Sequence, residues 1–216
     1  MNELAKLRLA VLISGRGSNM MAIARDCANG RIAARIARVI ADRPHAAGLA
    51  SAAQFHLPTA IVPREAYPDR EHFEAALSAQ LENCGAELVV LAGFMRVLSA
   101  AFTARYAGRL INIHPSLLPA YRGLHTHRRV LEAGEPRHGA SVHFVTSEVD
   151  GGPVILQAQV PVLPTDTEQS LAARVLEREH MIFPQAIGWF ADGRLKQQGA
   201  FFVFDGQTHS APIVAS

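Results

Sequence analysis

Short apolar runs, each followed by a helical pattern, recur through the first half of this chain and restrict its possible folds more than any other feature. Leu9–Ser14 is almost continuously apolar and stops at a glycine-rich turn, as a strand buried on both faces does. Met20-Met21-Ala22-Ile23-Ala24 then begins a helical pattern. Arg35–Ala41 makes a second strand, Ala46–Phe55 an alanine-rich helix, and Thr59–Val62 a third strand closed by Pro63. Asp69–Cys84 predicts a long helix with Phe73, Leu77 and Leu81 on one face. Leu88–Ala92 and Leu110–Ile113 are the next strands. Such alternation implies an α/β, Rossmann-like fold: a mostly parallel central sheet flanked by helices, with ligands beyond the carboxyl ends of the strands.

The second half changes pattern. Gly139–Thr146 alternates as a strand and Val154–Val160 is its antiparallel partner, so an antiparallel extension is expected there. Thr165-Asp166-Thr167-Glu168 has capping-box spacing and opens a helix toward Trp189, with Leu171, Val175, Ile182 and Ala186 as its buried stripe. Pro184 should bend or break that helix. Arg194–Leu195 and Phe201–Phe204 read as a terminal hairpin, and the polar tail from Gln207 as loose. With 216 residues and no linker or repeat, a single domain 1–216 is expected. It comprises a mononucleotide-binding half (about 1–108), a second half (about 109–205) and the tail (206–216).

Composition narrows the partners. A formal net charge of +2 gives no reason to invoke nucleic acid or a membrane surface. The N-terminal apolar run is too short for a signal peptide and is interrupted by Arg8, and no segment has transmembrane length. Cys27 and Cys84 lack CxxC spacing and read as small core residues in a reducing compartment. The expected location is the cytoplasm.

Three stretches carry possible chemistry. Gly15-Arg16-Gly17-Ser18-Asn19, between strand and helix, aims backbone N–H groups at an anion. Met20 stands where a dinucleotide fingerprint needs its last glycine, and there is no GK[ST], so one phosphate monoester is the better guest. A tight turn with no ligand fits as well. Asn112 and His114, two apart at a strand end, project to the same side, and Pro115 keeps His114 extended. Together they can donate to one oxygen that gains negative charge; taken alone, the pair more often satisfies neighbouring backbone. Asp150, beside Gly151 and Gly152, fits both a simple turn and a catalytic loop. His125-x-His127 invites a zinc site with His114 or Asp150, but no cysteine or EH motif accompanies it, and no metal is assigned.

Asn112-Ile113-His114-Pro115-Ser116-Leu117-Leu118-Pro119, with Gly123 and His125-Thr126-His127, resembles the signature of the folate-dependent formyltransferases. The likeness runs in order from Val11 to about Leu195, through GRGSN, VVLAGFMRVLS, HGASVHFVTSEVDGGPVI and WFADGRL. It implies transfer of the formyl group of 10-formyltetrahydrofolate, a co-substrate rather than a tightly bound cofactor, to the amine of glycinamide ribonucleotide in purine biosynthesis. By this resemblance Asn112, His114 and Asp150 are catalytic, with Asp150 pairing with His114 and raising its pKa. Gly17, Ser18 and Asn19 hold the substrate phosphate, and Glu179 the glycinamide. Arg70, Met95, Arg96, Val97, Leu98 and Asn112 bind folate, Met95–Leu98 at the pterin ring. His143 reads as structural. The partners implied are small molecules, and the assembly a monomer or weak homodimer. The main alternative is a formyltetrahydrofolate deformylase, which shares Asn–His–Asp but carries an additional N-terminal domain. A methionyl-tRNA formyltransferase would need a C-terminal tRNA-binding domain. A non-catalytic folate or nucleotide binder is the remaining class.

Overall fold

Leu9, Ala10, Val11, Leu12 and Ile13 have no exposed surface, which is what a strand covered on both faces requires. In the computed structural model, which describes residues 6–215, they form β1 (Leu7–Ile13). β1 pairs in parallel with β2 (Ala34–Ala41) on one side and β4 (Leu88–Leu91) on the other, and β2 pairs in parallel with β3 (Thr59–Ile61). The order is therefore β3-β2-β1-β4, with the start of β5 (Leu110–His114) beyond β4. The helices α1 (Ser18–Ala28), α2 (Gly48–Gln54), α3 (Arg70–Asn83) and α4 (Ala100–Arg105) connect these strands. The chain moves outward from β1 through β2 to β3, then returns to the other side of β1 for β4. Ligands of such sheets bind at that reversal. The loops leaving β1 and β4 are joined there, the Ser14 N–H donating to the Gly93 carbonyl over 3.1 Å.

Two compact units result, Met1–Ile111 and Asn112–Ser216, and the division falls within β5. The second unit contains the end of β5, α5 (Thr126–Glu132), β6 (Arg137–Phe144), β7 (Val154–Pro161) and α6 (Glu168–Ala191). β6 and β7 are antiparallel, with a register shift between Val142 and His143. α6 lays Leu171, Val175, Ile182, Phe183 and Ile187, all fully buried, against these two strands. A separate antiparallel sheet follows, of β8 (Leu195–Gln198), β9 (Phe201–Phe204) and β10 (Gln207–His209). β11 (Ile213–Val214) returns to pair in parallel with β7.

Several expectations need correction. The tail from Gln207 is not loose: β10 and β11 give its backbone partners, and His209 stacks on Phe202 at 5.0 Å between ring centroids. Polar side chains concealed a backbone that pairs. α6 runs unbroken through Pro184, because the packed residues around that proline outweigh one missing N–H. Its capping box is Thr167–Ser170 rather than Thr165–Glu168: the Thr167 hydroxyl accepts from Ser170 N (3.2 Å), and Ser170 Oγ from Thr167 N (3.0 Å). Cys27 and Cys84 are half-buried rather than in the core, and burial pushes the Cys27 thiol up to about 11. The short helix α4, unpredicted, is capped by Ser99, which accepts from Phe102 N. No helix among the described residues is long and apolar enough to cross a membrane.

The corrected cap makes a direct prediction. Thr167→Ala should destabilise the protein by about 1 kcal/mol, whereas Thr165→Ala, at an exposed position without that bond, should stay within about 0.5 kcal/mol. Urea denaturation of the two variants checks it; equal effects would return the cap to Thr165.

Candidate active site

Gly17 ends the turn after β1 in the left-handed region, at φ 72°. A side chain there would be strained, and its Cβ would also stand 3.0 Å from the backbone of Gly48. Gly48 N donates to Gly15 O over 2.9 Å, which fixes the turn against the start of α2. Ser18 and the buried Asn19 then open α1, so the first N–H groups of an eleven-residue helix face this turn. The turn and helix have the geometry expected of an anion cradle.

The loop after β4 has no regular secondary structure from Phe94 to Ser99. Met95 N donates to Ser14 Oγ (2.8 Å) at one end, and Ser99 N to Glu74 Oε1 (2.7 Å) at the other. Phe94 and Leu98 are buried, while Met95 and Val97 are 61 % and 63 % exposed. Of the apolar residues read as possible core, Leu98 is core and the other two are available to a ligand. Arg96 turns back to the fully buried Asp42. Arg70 is exposed in the first turn of α3, and Glu179 is buried on α6.

In the second unit, four polar side chains converge. His114, 6 % exposed, directs Nε2 at the Tyr121 carbonyl (3.0 Å) and Nδ1 at Asp150 Oδ2 (3.4 Å). The same carboxylate oxygen accepts Gly123 N at 2.8 Å. Asp150 Oδ1 lies 3.5 Å from His143 Nε2, which is 3.1 Å from Asn112 Nδ2. His143 Nδ1 donates to the Phe144 carbonyl over 2.8 Å. Asn112 and Asp150 are thus linked through His143, the residue read from sequence as structural. Its place in a strand, β6, gave no sign of this; the signal was the register shift beside it, which only the fold displays. Tyr121 (φ 56°) and Asp150 (φ 50°) both occupy the left-handed region without being glycine, a strain that packing must hold and that concentrates at functional sites. Gly152 lets this loop pass close to β6, since a Cβ there would run into the Phe144 carbonyl.

The electrostatics differ from expectation at His114. Burial lowers its pKa and outweighs the Tyr121 carbonyl and the Asp150 charge, both of which favour the protonated ring. Asp150 moves the other way: burial opposes its ionisation, but the hydrogen bonds from His143 and Gly123, with the nearby imidazoles, outweigh that and lower its pKa. The carboxylate is charged at neutral pH. Nearby, His127 Nδ1 meets His138 Nε2 at 3.1 Å, while His125 is exposed at the N-cap of α5. Among the described residues no three His, Cys, Asp or Glu side chains are placed to hold a metal.

Burial lowers the pKa of His127 as well, and takes His138 down to about 4. In the unfolded chain these rings, like His114, titrate near 6.5, so in the window below that value the unfolded chain binds more protons than the folded one. Stability is then lost as pH falls from about 6.5 toward about 4. The depressed carboxylates Asp150 and Asp166 keep their stabilisation through this window, because both titrate below their ordinary value of 3.8. Chemical denaturation at stepped pH should show that decline, and His138→Gln should flatten it; an unchanged slope would exclude this pair as its source.

A sequence model of the formyl transferase family matches residues 7–187. The chain is 50 % identical over 201 residues to phosphoribosylglycinamide formyltransferase of Escherichia coli K12, covering 93 % of this chain and 95 % of that one. It is 44 % identical over 200 residues to the Haemophilus influenzae protein of the same name, covering 93 % and 94 %. The solved phosphoribosylglycinamide formyltransferase of Coxiella burnetii superposes with a TM-score of 0.93 at 45 % identity, over 97 % of this chain and 99 % of that one. Fold and sequence agree, and the chain belongs to the formyl transferase family.

Proposed function

We propose that this enzyme transfers the formyl group of 10-formyltetrahydrofolate to the amine of glycinamide ribonucleotide, giving the N-formyl product and tetrahydrofolate. The observation that carries the reading is the set Asn112, His143, Asp150 and His114, both imidazoles buried, in a chain similar over nearly its whole length to phosphoribosylglycinamide formyltransferases. The turn Gly17-Ser18-Asn19 takes the substrate phosphate, Glu179 contacts the glycinamide, and Arg70 with Met95–Leu98 borders the folate. The cytoplasm is the compartment assumed, in keeping with two unpaired cysteines. A hydrolase acting on the same folate is the weaker reading, because relatives at 44 % and 50 % identity across almost their full lengths are named as transferases.

In the proposed reaction the amine attacks the formyl carbon and the carbonyl oxygen becomes an oxyanion. Asn112 Nδ2 lies 3.1 Å from His143 Nε2, and its amide keeps an N–H for that oxygen. His114 Nε2–H is held by the neutral Tyr121 carbonyl. An oxyanion is the stronger acceptor and competes for it. Burial keeps the pKa of His114 low before reaction, so the developing negative charge itself favours the imidazolium. The interaction is therefore stronger in the transition state than in the ground state, as catalysis requires. Asp150 holds the ring and accepts the amine's proton through a water. As the tetrahedral intermediate collapses, the bond to folate N10 breaks and N10 takes the proton that Asp150 received, restoring the carboxylate. Binding of the remote phosphate orients the amine.

Three measurements test this. Loss of the formyl group from 10-formyltetrahydrofolate, followed spectroscopically, should require glycinamide ribonucleotide; equal loss without it would identify a hydrolase. Asp150→Asn should lower kcat by roughly a hundredfold or more with little change in KM, as removal of an acid–base group does, and near-normal turnover would remove Asp150 from the mechanism. Glycinamide riboside without phosphate should react poorly, and equal reactivity would free the Gly17–Asn19 turn of its role.

A further inference from the structure

Asp42 follows directly on β2, at the ligand end of the first unit, and has no exposed surface. Its backbone is held on both sides: its N–H donates to Ile13 O (3.3 Å) and its carbonyl accepts from Arg64 N (3.2 Å). Its carboxylate accepts from Arg96 Nε at 2.5 Å, with Arg43 Nε at 3.9 Å, and its second oxygen, Oδ1, is buried with no hydrogen-bond partner. A carboxylate so placed is costly unless a cation compensates it, and the Arg96 guanidinium is the group within bonding distance. Arg96 in turn gives Nη2 to Glu65 Oε1 at 3.3 Å. Its guanidinium therefore lies between two carboxylates and is not a free cation awaiting an anionic ligand.

Arg96 sits in the middle of Phe94–Ser99, a segment without helix or strand to keep its shape. Ser14 fixes one end and the buried Glu74 the other, accepting Ser99 N and the Ser99 hydroxyl. Between those anchors the link from Arg96 to Asp42 is the restraint in the middle. Its position leaves the exposed Met95 and Val97 on either side of it facing outward. A binding edge built on irregular backbone is only as exact as such supports.

We infer that Asp42 is a positioning residue for the folate edge: through Arg96 it fixes the backbone of Met95–Leu98, and Arg96 acts as a strut rather than as a contact to the folate. The inference rests on the reading of that segment as the folate side. It replaces the expectation of a direct ligand role for the Arg96 side chain.

The test is a double-mutant cycle on the full chain with Asp42→Asn, Arg96→Met and the pair, measuring KM for both substrates and kcat. Each single change should raise KM for 10-formyltetrahydrofolate roughly tenfold, and the pair no more than either alone, the coupling expected of two ends of one interaction. kcat at saturating folate and KM for glycinamide ribonucleotide should hold near wild type, which general damage to the fold would not leave untouched. Arg96→Lys keeps a charge on the buried carboxylate and guards against misfolding of the other variants; it should give an intermediate KM. Were Arg96 instead a direct contact to the folate's glutamate, Arg96→Met would cost as much in the Asp42→Asn background as alone. Its effect would also vanish with 10-formyltetrahydropteroate, which lacks glutamate. Either result overturns the inference. Amide hydrogen exchange of ligand-free protein supplies an arm that does not depend on folate: faster exchange over Arg96–Leu98 in Asp42→Asn supports the strut, and unchanged exchange overturns it. If wild-type protein fails to bind tetrahydrofolate while that exchange arm succeeds, the functional reading has failed and not the strut.

Discussion

A carboxylate can stay charged away from water only where enough donors surround it, and Asp150 sets that condition for the second unit. Gly123 N–H donates to one oxygen, His143 Nε2 lies 3.5 Å from the other, and the His114 ring stands 3.4 Å away. To bring them together, the loop after β6 must turn back on itself with Asp150 in the left-handed region, and the loop after β5 must deliver Gly123 and the Tyr121 carbonyl to the same point. The antiparallel pair β6/β7, the glycines after Asp150 and the packing of α6 against those strands all serve that one placement.

The loop after β5 is itself held by a buried polar network. Ser141 Oγ donates to Ser116 O (2.6 Å) and accepts Leu118 N (3.0 Å), while Gln157 Nε2 bonds Leu118 O (2.7 Å) and Ser141 Oγ (2.9 Å). Ser116 and Ser141 have no exposed surface. Fully satisfied networks of this kind rigidify what they touch, and here they lead to the carbonyl that orients His114. In the first unit buried carboxylates, Asp42 and Glu74, rather than regular backbone pairing give an irregular loop its shape.

Much of the site could be read from the residues. Asn112 and His114 belong together because side chains two apart on a strand share a face, and Gly17 lies in the glycine-rich turn that the apolar run before it announces. Three features were beyond that reasoning. His143 joins the site because a register shift turns it there, and no local pattern marks a register shift. Arg96, a charged residue in a loop, looks like a ligand contact until the buried Asp42 is placed beside it. The direction of the His114 pKa depended on weighing one nearby negative charge against burial, and the sequence contains the charge but not the burial.

The sequence by itself determined the alternation of strands and helices, the parallel first half, the antiparallel change in the second, and the turns where only glycine fits. These follow from local terms: side-chain periodicity, allowed dihedrals and the apolar length of each run. Tertiary structure alone decided the pairing of the C-terminal tail, the continuity of α6 through Pro184, the true capping pair of that helix and the protonation balance of the buried histidines. Each of these depends on what distant residues bring into contact. Desolvation and packing energies exist only once the chain has closed around a group, so no short window of residues can carry them.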